Sequence, residues 1–536
     1  MRGSWTRAGR SAWSPRTTAA AMSTGRSTFP ATRPRTTSPT ACSTRACAPS
    51  RSDTRARADG ALARGTACAI LRHRENRRPT AMLDAAPADR LPPRITPPPR
   101  PLGPWAAFRA AQRNILALVP EAAYREAVVE SVGAPRWKMV QDPEALELVL
   151  KTRAENYPRS DVTRRILSPS SGENLFVAEG RDWRWRRRAM APGFAHRNLA
   201  ALAPVISRAA EAASARLAGA APGPVDAHQE MVTVTFEVIR DVMLDDGGAL
   251  DREEIGDAVD RLVEEAGRLS LLDILNAPGW IPRPGRLFAR GARDVDRMVE
   301  AIVRARLAQG PGETPDMLDM LIAAADPKSG RGMTALDVRN DLAAFIVAGH
   351  ETTALALAWA LWLLAWDPAV QARARDEAQA VLGDRAATAD DLPNLPYVGQ
   401  VIDETLRLYP PGGLMARQAR EADDLLGHAV APRETVMIPV YALHRHRALW
   451  SDPDVFDPDR FAPGRAEGRH RFAFLPFGAG PRICIGAGFA EMEARIVLAT
   501  LLARFCFSLP EGPWPKPEML ITLRPVGGAR LMIRRL

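Results

Sequence analysis

The chain has 536 residues, 46% of them hydrophobic, and a formal net charge of +10. That size and apolar content exclude a small disulfide-stapled scaffold and allow one large core. The charge does not point to a nucleic-acid partner once it is located. Residues 1–81 carry sixteen Arg against three acids, a net of +13, which leaves −3 for the rest of the chain.

Cysteine usage divides the same way. Cys42, Cys47 and Cys68 lie in the basic segment, and only Cys484 and Cys506 follow it. This is no disulfide framework, so a reducing, cytoplasmic location is expected. The longest apolar run, Ala354–Trp366, has 13 residues, short of the roughly 18–20 that span a bilayer. It predicts a buried helix rather than a membrane anchor. The N-terminus also lacks the apolar stretch of a secretory signal.

In chain order, residues 1–81 are rich in Arg, Ser, Thr, Ala, Gly and Pro and show no helix or strand period, so they are expected to be disordered. They read either as an acid-poor transit peptide or as a wrongly assigned start, with translation from Met82; the second is preferred. A Pro-rich lead-in over 82–104 follows, extended from Leu91 to Pro104. One mainly α domain with small β-sheets is expected over 105–536. Apolar residues at steps of three and four predict helices over Val225–Asp245, Arg252–Ser270, Val295–Gln309 and Leu392–Tyr409. Strand-like runs occur at Arg136–Val140, Thr435–Val440 and Met519–Leu523.

A further helix is predicted over Ala335–Trp366, opened by a Thr334/Asp337 capping box and stopped by Asp367-Pro368. Its 32 residues span about 48 Å at 1.5 Å per residue. Polar residues interrupt its apolar middle at Ala348-Gly-His-Glu-Thr-Thr353. Gly349 weakens the helix by roughly 1 kcal/mol relative to Ala, and Thr352 can bond back one turn. Together these predict a local opening that admits water; the bland reading is a bent helix with a self-satisfied hydroxyl.

The strongest motif is Phe477-Gly-Ala-Gly-Pro-Arg-Ile-Cys484-Ile-Gly486. Its glycines and proline force a tight loop before the cysteine, and helical periodicity follows. A cysteine at the junction of such a loop with a helix N-terminus meets backbone N–H donors that favour the thiolate, the metal-binding form. A merely structural cysteine needs no such loop. Two further patterns precede it. Glu404-Thr-Leu-Arg407 puts two charges on one helix face, 80 residues before Cys484. Trp183 and Arg187 lie one turn apart in Trp183-Arg-Trp-Arg-Arg187. Arg181, Arg184 and Arg188 form a separate basic stripe, expected to help dock an acidic protein. His444 and His446 have no companion ligands at metal-site spacing and read as ordinary contacts. Cys506, in an apolar strand-like run, reads as core.

The cysteine loop resembles the haem-binding loop of the cytochrome P-450 family at every fixed position, and the other motifs occur in that family's order. The resemblance covers roughly residues 91–536. It implies the family's mainly α single haem-binding domain. It also implies haem b, with Cys484 as thiolate iron ligand, Phe477, Gly478 and Gly486 shaping the loop, and Arg482, Trp183, Arg187 and Arg417 near the propionates. By the same resemblance, Thr352 and Glu351 organise water and deliver protons. Glu404, Arg407 and Arg460 form a structural network, and Phe345, Ala348, Leu414, Met415 and Leu520 line the substrate pocket. Substrate contacts are also expected across Asn156–Val177, Gly412–Met415 and Met519–Ile521.

The implied activity is monooxygenation of a small apolar substrate with O2 and electrons derived from NAD(P)H. A separate ferredoxin or flavodoxin with its reductase would deliver them. Only 52 residues follow Cys484 and no flavin or nucleotide fingerprint appears, so no fused reductase is expected. The absent anchor suggests a soluble, bacterial-style monomer. Two alternatives are a same-fold enzyme that rearranges or dehydrates its substrate without dioxygen, and a catalytically inactive binding protein.

Overall fold

The helix over Ala335–Trp366 forms as the sequence dictates, and the rest of the fold is arranged around it. Asp337 N–H donates to the Thr334 hydroxyl at 3.2 Å, and Thr334 N–H donates to the Asp337 carboxylate at 3.0 Å. At the other end Asp367 caps the next helix by accepting from Ala369 N–H at 3.0 Å and Val370 N–H at 3.1 Å. The computed structural model describes residues 91–536, except 132–135, 168–171, 244–251, 268–271, 273–280, 282–289 and 313–315. All of these belong to the compact unit Thr80–Leu536. The expectations for residues 1–81 and for 82–90 fall outside them.

After a short helix over Pro104–Ala111 come strands β1 (Val128–Glu130) and β2 (Trp137–Val140). The longer helices and remaining strands then follow in order. They are α1 (Gly180–Met190), α2 (His196–Ala218), β3 (Val225–Asp226), α3 (Ala227–Met243), α4 (Arg252–Gly267), α5 (Gly291–Gln309), α6 (Ala335–Trp366), α7 (Pro368–Leu382) and α8 (Pro396–Leu408). After them come β4 (Met415–Gln418), β5 (Asp423–Leu425), β6 (His428–Val430), β7 (Thr435–Ile438), α9 (Ala487–Arg504), β8 (Phe505–Ser508), β9 (Lys516–Met519), β10 (Leu523–Val526) and β11 (Arg530–Arg535). Short helical turns fill the connections.

The sheets are small. One runs β1-β2-β7-β4, with β2 parallel to β7 and the other pairs antiparallel. A second runs β3-β11-β8, and β5–β6 and β9–β10 are hairpins. The main core gathers α2, α3, α6, α8 and α9 around Ile206, Val234, Leu357, Val401 and Val497, all fully buried. Over Ala354–Trp366 helix α6 is apolar around its whole circumference, because protein surrounds it there. Its C-terminal half is pinned by a Trp359–Tyr409 stack at 3.8 Å and by Trp359 Nε1 donating to Leu523 O at 3.2 Å. Among the described residues α6 is the one helix long and apolar enough to cross a membrane, and 78% of its most apolar window is buried inside the protein.

Several boundaries differ from the sequence reading. Val225–Asp226 pairs with β11 as a strand, and helix begins only at Ala227. Leu392–Asn394 forms a tighter turn before α8 starts at Pro396, because proline fixes the first helical position. Met519–Leu523 is not one continuous strand. Met519 ends β9 and Leu523 opens β10, the two pair, and 520–522 form the turn between them; Met519, Leu520 and Ile521 face a cavity. Finally, α6 stays a continuous helix through Gly349 and Thr352, without the expected opening.

Candidate active site

The loop before α9 shows why its glycines are needed. Gly478 and Gly480 have φ of +71° and +70°, a region that side chains disfavour. A Cβ on Gly480 would lie 2.0 Å from Leu150 O, so backbone blocks any larger residue. The turn is closed by Cys484 N–H donating to Phe477 O at 2.9 Å, and Gly486 caps the start of α9, its carbonyl accepting from Ala490 N–H. Burial pushes the Cys484 thiol up, while a Gly486 backbone hydrogen bond and the Arg187 charge oppose that rise. The sulfur opens onto a cavity of about 940 Å³.

The network beneath the loop is complete. Arg407 donates through Nε to Glu404 Oε2 at 2.6 Å and through Nη2 to Glu404 Oε1 at 2.7 Å. Its Nη1 donates to His444 O at 2.8 Å and Pro453 O at 2.6 Å. Arg460 Nε reaches Glu404 Oε1 at 3.3 Å. Glu404 and Arg407 are both fully buried, so a charged group stranded here would be very costly. His444 accepts from Leu475 N–H at 2.8 Å, and burial holds its imidazole down to about 3. His446 contacts Glu126 O at 3.3 Å. Both histidines pack as ordinary buried groups. Cys506 differs from the core reading: on β8 the buried residues are Phe505 and Phe507, and the alternation leaves Cys506 half-buried on the other face near Arg375.

One edge of the cavity concentrates positive charge. Arg159 and Arg417 meet in an isolated β-bridge, and Arg482 pairs with Glu179 while donating to Ala178 O at 3.1 Å. The Arg482 guanidinium also lies 4.5 Å from the Trp183 ring centre. Burial and mutual repulsion push Arg159 down to about 9 and Arg417 down to about 10. Three guanidiniums thus share one carboxylate, and Arg159 Nε and Arg482 Nη1 lack partners. A ligand with two carboxylates would balance both the charge and the open donors. The propionate pair of haem has that form, so these residues fit the implied cofactor. Arg159 was not singled out from the sequence; its only signal was its place within the expected Asn156–Val177 contact region.

Helix α1 carries Trp183 and Arg187, which both line the cavity. It is held against α6 by Arg186, a residue the sequence reading passed over. Arg186 Nη1 donates to Asp341 at 2.8 Å and Nε to Asp182 at 3.1 Å, with Asp337 as a third partner. The proposed basic stripe differs from expectation. Arg184 pairs with Glu155 at 2.6 Å, and Arg188 makes two 2.7 Å bonds to the fully buried Asp326. Arg188 therefore serves the fold, and Arg181 is left as the exposed member.

From α6, Phe345, Ala348, Gly349, Thr352 and Thr353 face the cavity. Thr352 Oγ1 donates to Ala348 O at 2.8 Å. Gly349 has a packing reason: a Cβ there would sit 2.8 Å from Ile239 Cδ1 on α3. Glu351 points elsewhere. It is buried, accepts from the Thr522 hydroxyl at 2.9 Å and pairs with Arg524 on β10. It is not among the residues that line the cavity. Leu414, Met415, Leu520, Phe477, Gly478 and Gly486 also line the cavity. Ile239 and Met243 of α3, Trp137 and the 100–103 stretch join them with no motif to announce them.

The comparisons with known proteins agree with this geometry. A profile of the family described as Cytochrome P450 matches residues 121–531. Cyclooctatin synthase of Streptomyces melanosporofaciens is 33% identical over 72% of this chain and 84% of its own. Putative cytochrome P450 132 of Mycobacterium tuberculosis is 32% identical over 75% and 88%. Human cytochrome P450 4F12 is 29% identical over 74% and 79%. The solved cytochrome P450DA heme domain, 24% identical, superposes with a TM-score of 0.67 over 76% of this chain and 90% of its own, a likeness of fold. The chain therefore belongs to the cytochrome P450 family.

Proposed function

We propose that this chain is a haem-thiolate monooxygenase that puts one atom of dioxygen into an apolar organic substrate. The observation that carries this reading is a convergence. Cys484 and Thr352 open onto one largely apolar cavity, and its edge holds guanidiniums for two carboxylates. Haem, when bound, supplies dioxygen activation by two electrons and two protons. The balance is substrate, O2, NAD(P)H and a proton giving hydroxylated substrate, water and NAD(P)+.

The chain's own residues have separable tasks in this reading. Cys484 binds iron as the thiolate, losing its proton on metal binding despite the upward push of burial. Arg159, Arg417 and Arg482 hold the two propionates. Phe345, Ala348, Leu414, Met415 and Leu520 orient the substrate and exclude water. Thr352 keeps its hydroxyl proton on Ala348 O, so its lone pairs face the cavity as acceptors. Electrons come from a separate protein donor.

Two measurements test the reading together. The reduced, carbon monoxide-treated protein should give the thiolate-ligated haem spectrum, and Cys484→Ala should lose it. With a turned-over substrate, labelled oxygen gas should put label in the product. Unlabelled product from a pigmented enzyme would instead support rearrangement or dehydration.

A further inference from the structure

Four tryptophans form a line that none of these roles uses. Trp359, Trp362 and Trp366 follow at steps of three and four on α6, so each ring meets the next. The ring centres lie 6.2 Å apart for Trp359–Trp362 and 5.4 Å apart for Trp362–Trp366. Trp366 then meets Trp514, in the loop between β8 and β9, edge to face at 4.8 Å. All are contact distances for aromatic rings. The inner end adjoins the cavity, because Ala356, one turn before Trp359, lines it. The outer end reaches water: the three rings on α6 are buried, whereas Trp514 is 36% exposed. Tyr409, stacked on Trp359, is a poor terminus. Its hydroxyl donates to Pro93 O at 2.7 Å, and a carbonyl is no base for the proton that an oxidised phenol must lose.

Indole and phenol are the side chains that lose a single electron most easily. A positive hole on the buried rings would be desolvated, whereas water stabilises it on Trp514. Electrons therefore move inward along the line and the hole moves outward. Beside Trp514 opens a groove of about 410 Å³, lined also by Pro93, Pro515, Pro517 and Lys516. Its proline and indole faces suit an aromatic ring, and Lys516 suits an anionic group on that ring. We propose that Trp514 is a second, surface site of oxidation, where a phenolic acid gives up single electrons that the tryptophan line carries to the cavity. The oxidant is hydrogen peroxide entering the cavity. One peroxide and two phenols give two waters and two phenoxyl radicals, so the O–O bond and two phenolic O–H bonds break. Each phenol releases its proton to water at the surface, and the cavity takes up one proton per electron. Trp514 is oxidised and reduced again in each transfer. The inference rests on haem being held at Cys484, as the monooxygenase reading requires.

The test uses the haem-loaded protein, hydrogen peroxide, and the Trp366→Phe and Trp514→Phe variants. Without a reductant, peptide mass spectrometry should find oxygen added to Trp514 ahead of Trp105. Trp105 is 60% exposed, and its ring neighbour among the described residues is Phe108 at 5.6 Å, so attack from solution alone would favour it. W366F, which keeps an aromatic ring but resists oxidation, should lose the preference for Trp514. Electron paramagnetic resonance of rapidly frozen samples should show a tryptophan radical that W514F loses. With ferulate as reductant, both variants should lose most of the phenoxyl formation. Oxidation of Trp105 ahead of Trp514 would overturn the proposal, and so would unchanged Trp514 oxidation in W366F. Should W366F fold poorly, an unchanged radical in W514F would overturn it as well. A wild type without the thiolate-ligated haem spectrum would sink the monooxygenase reading, and this site with it. A normal spectrum with Trp514 left unoxidised would sink this site alone.

Discussion

Arg159 illustrates how much a single side chain can decide. Its guanidinium is buried beside Arg417 and Arg482, with Glu179 as the shared carboxylate. Such a cluster is tolerable only when a dianion completes it. Arg159→Gln should therefore weaken haem retention by roughly 10- to 100-fold, the value of a charge-assisted bond. The rate of haem transfer to an excess of apomyoglobin would measure it. The same substitution should slightly stabilise the haem-free protein, because it removes repulsion. Glu404 sits at the other extreme. Removing its charge strands the fully buried Arg407; Glu404→Ala should cost about 3–5 kcal/mol and leave little soluble, pigmented protein.

The elements explain why two glycines, both prominent in the sequence, differ in importance. At Gly480 a methyl group would meet backbone, Leu150 O at 2.0 Å, and the residue has positive φ. At Gly349 it would meet the free end of Ile239, on a regular helix. Gly480→Ala should abolish haem incorporation. Gly349→Ala should change the melting free energy by no more than about 1 kcal/mol, since gained helix propensity offsets the shifted side chain. Differential scanning calorimetry and the reduced carbon monoxide spectrum would separate them. Helix α1 depends in turn on Arg186. Without Asp341 it would lose its most buried partner, so Asp341→Ala should loosen α1 and lower both stability and haem content.

At the scale of the whole molecule, two buried groups set opposite limits on pH stability. His444 is held neutral with its affinity for protons depressed to about 3. The stability it contributes is present above its unfolded value of about 6.5 and is lost as pH falls below that. Glu493 has the opposite sign. Its affinity is raised to about 8, so the stability is full below about 4.5 and is lost as pH rises to about 8. The melting temperature should peak between these limits. Glu493→Gln should flatten its alkaline side, on the order of a few kcal/mol at pH 9, and leave the acid side unchanged. An alkaline limb identical in the two proteins would refute this assignment.

The amino-acid sequence by itself determined the family, the central helix with both its caps, and the cysteine loop. Each of these is a local pattern in which neighbouring residues satisfy one another: Thr334 with Asp337, and Phe477 with Cys484 across a glycine turn. The contacts made at a distance were decided only by the tertiary structure. Glu351 stands beside Thr352 in the chain, yet helical rotation sends it to Arg524, 173 residues away. On the basic stripe of α1, Arg184 and Arg188 find Glu155 and Asp326 as partners; Arg159 acquires its character from burial and from the Arg417 and Arg482 charges, and Glu493 from burial. Charge and burial are sums over neighbours brought together by folding, and no periodicity in the chain encodes those sums.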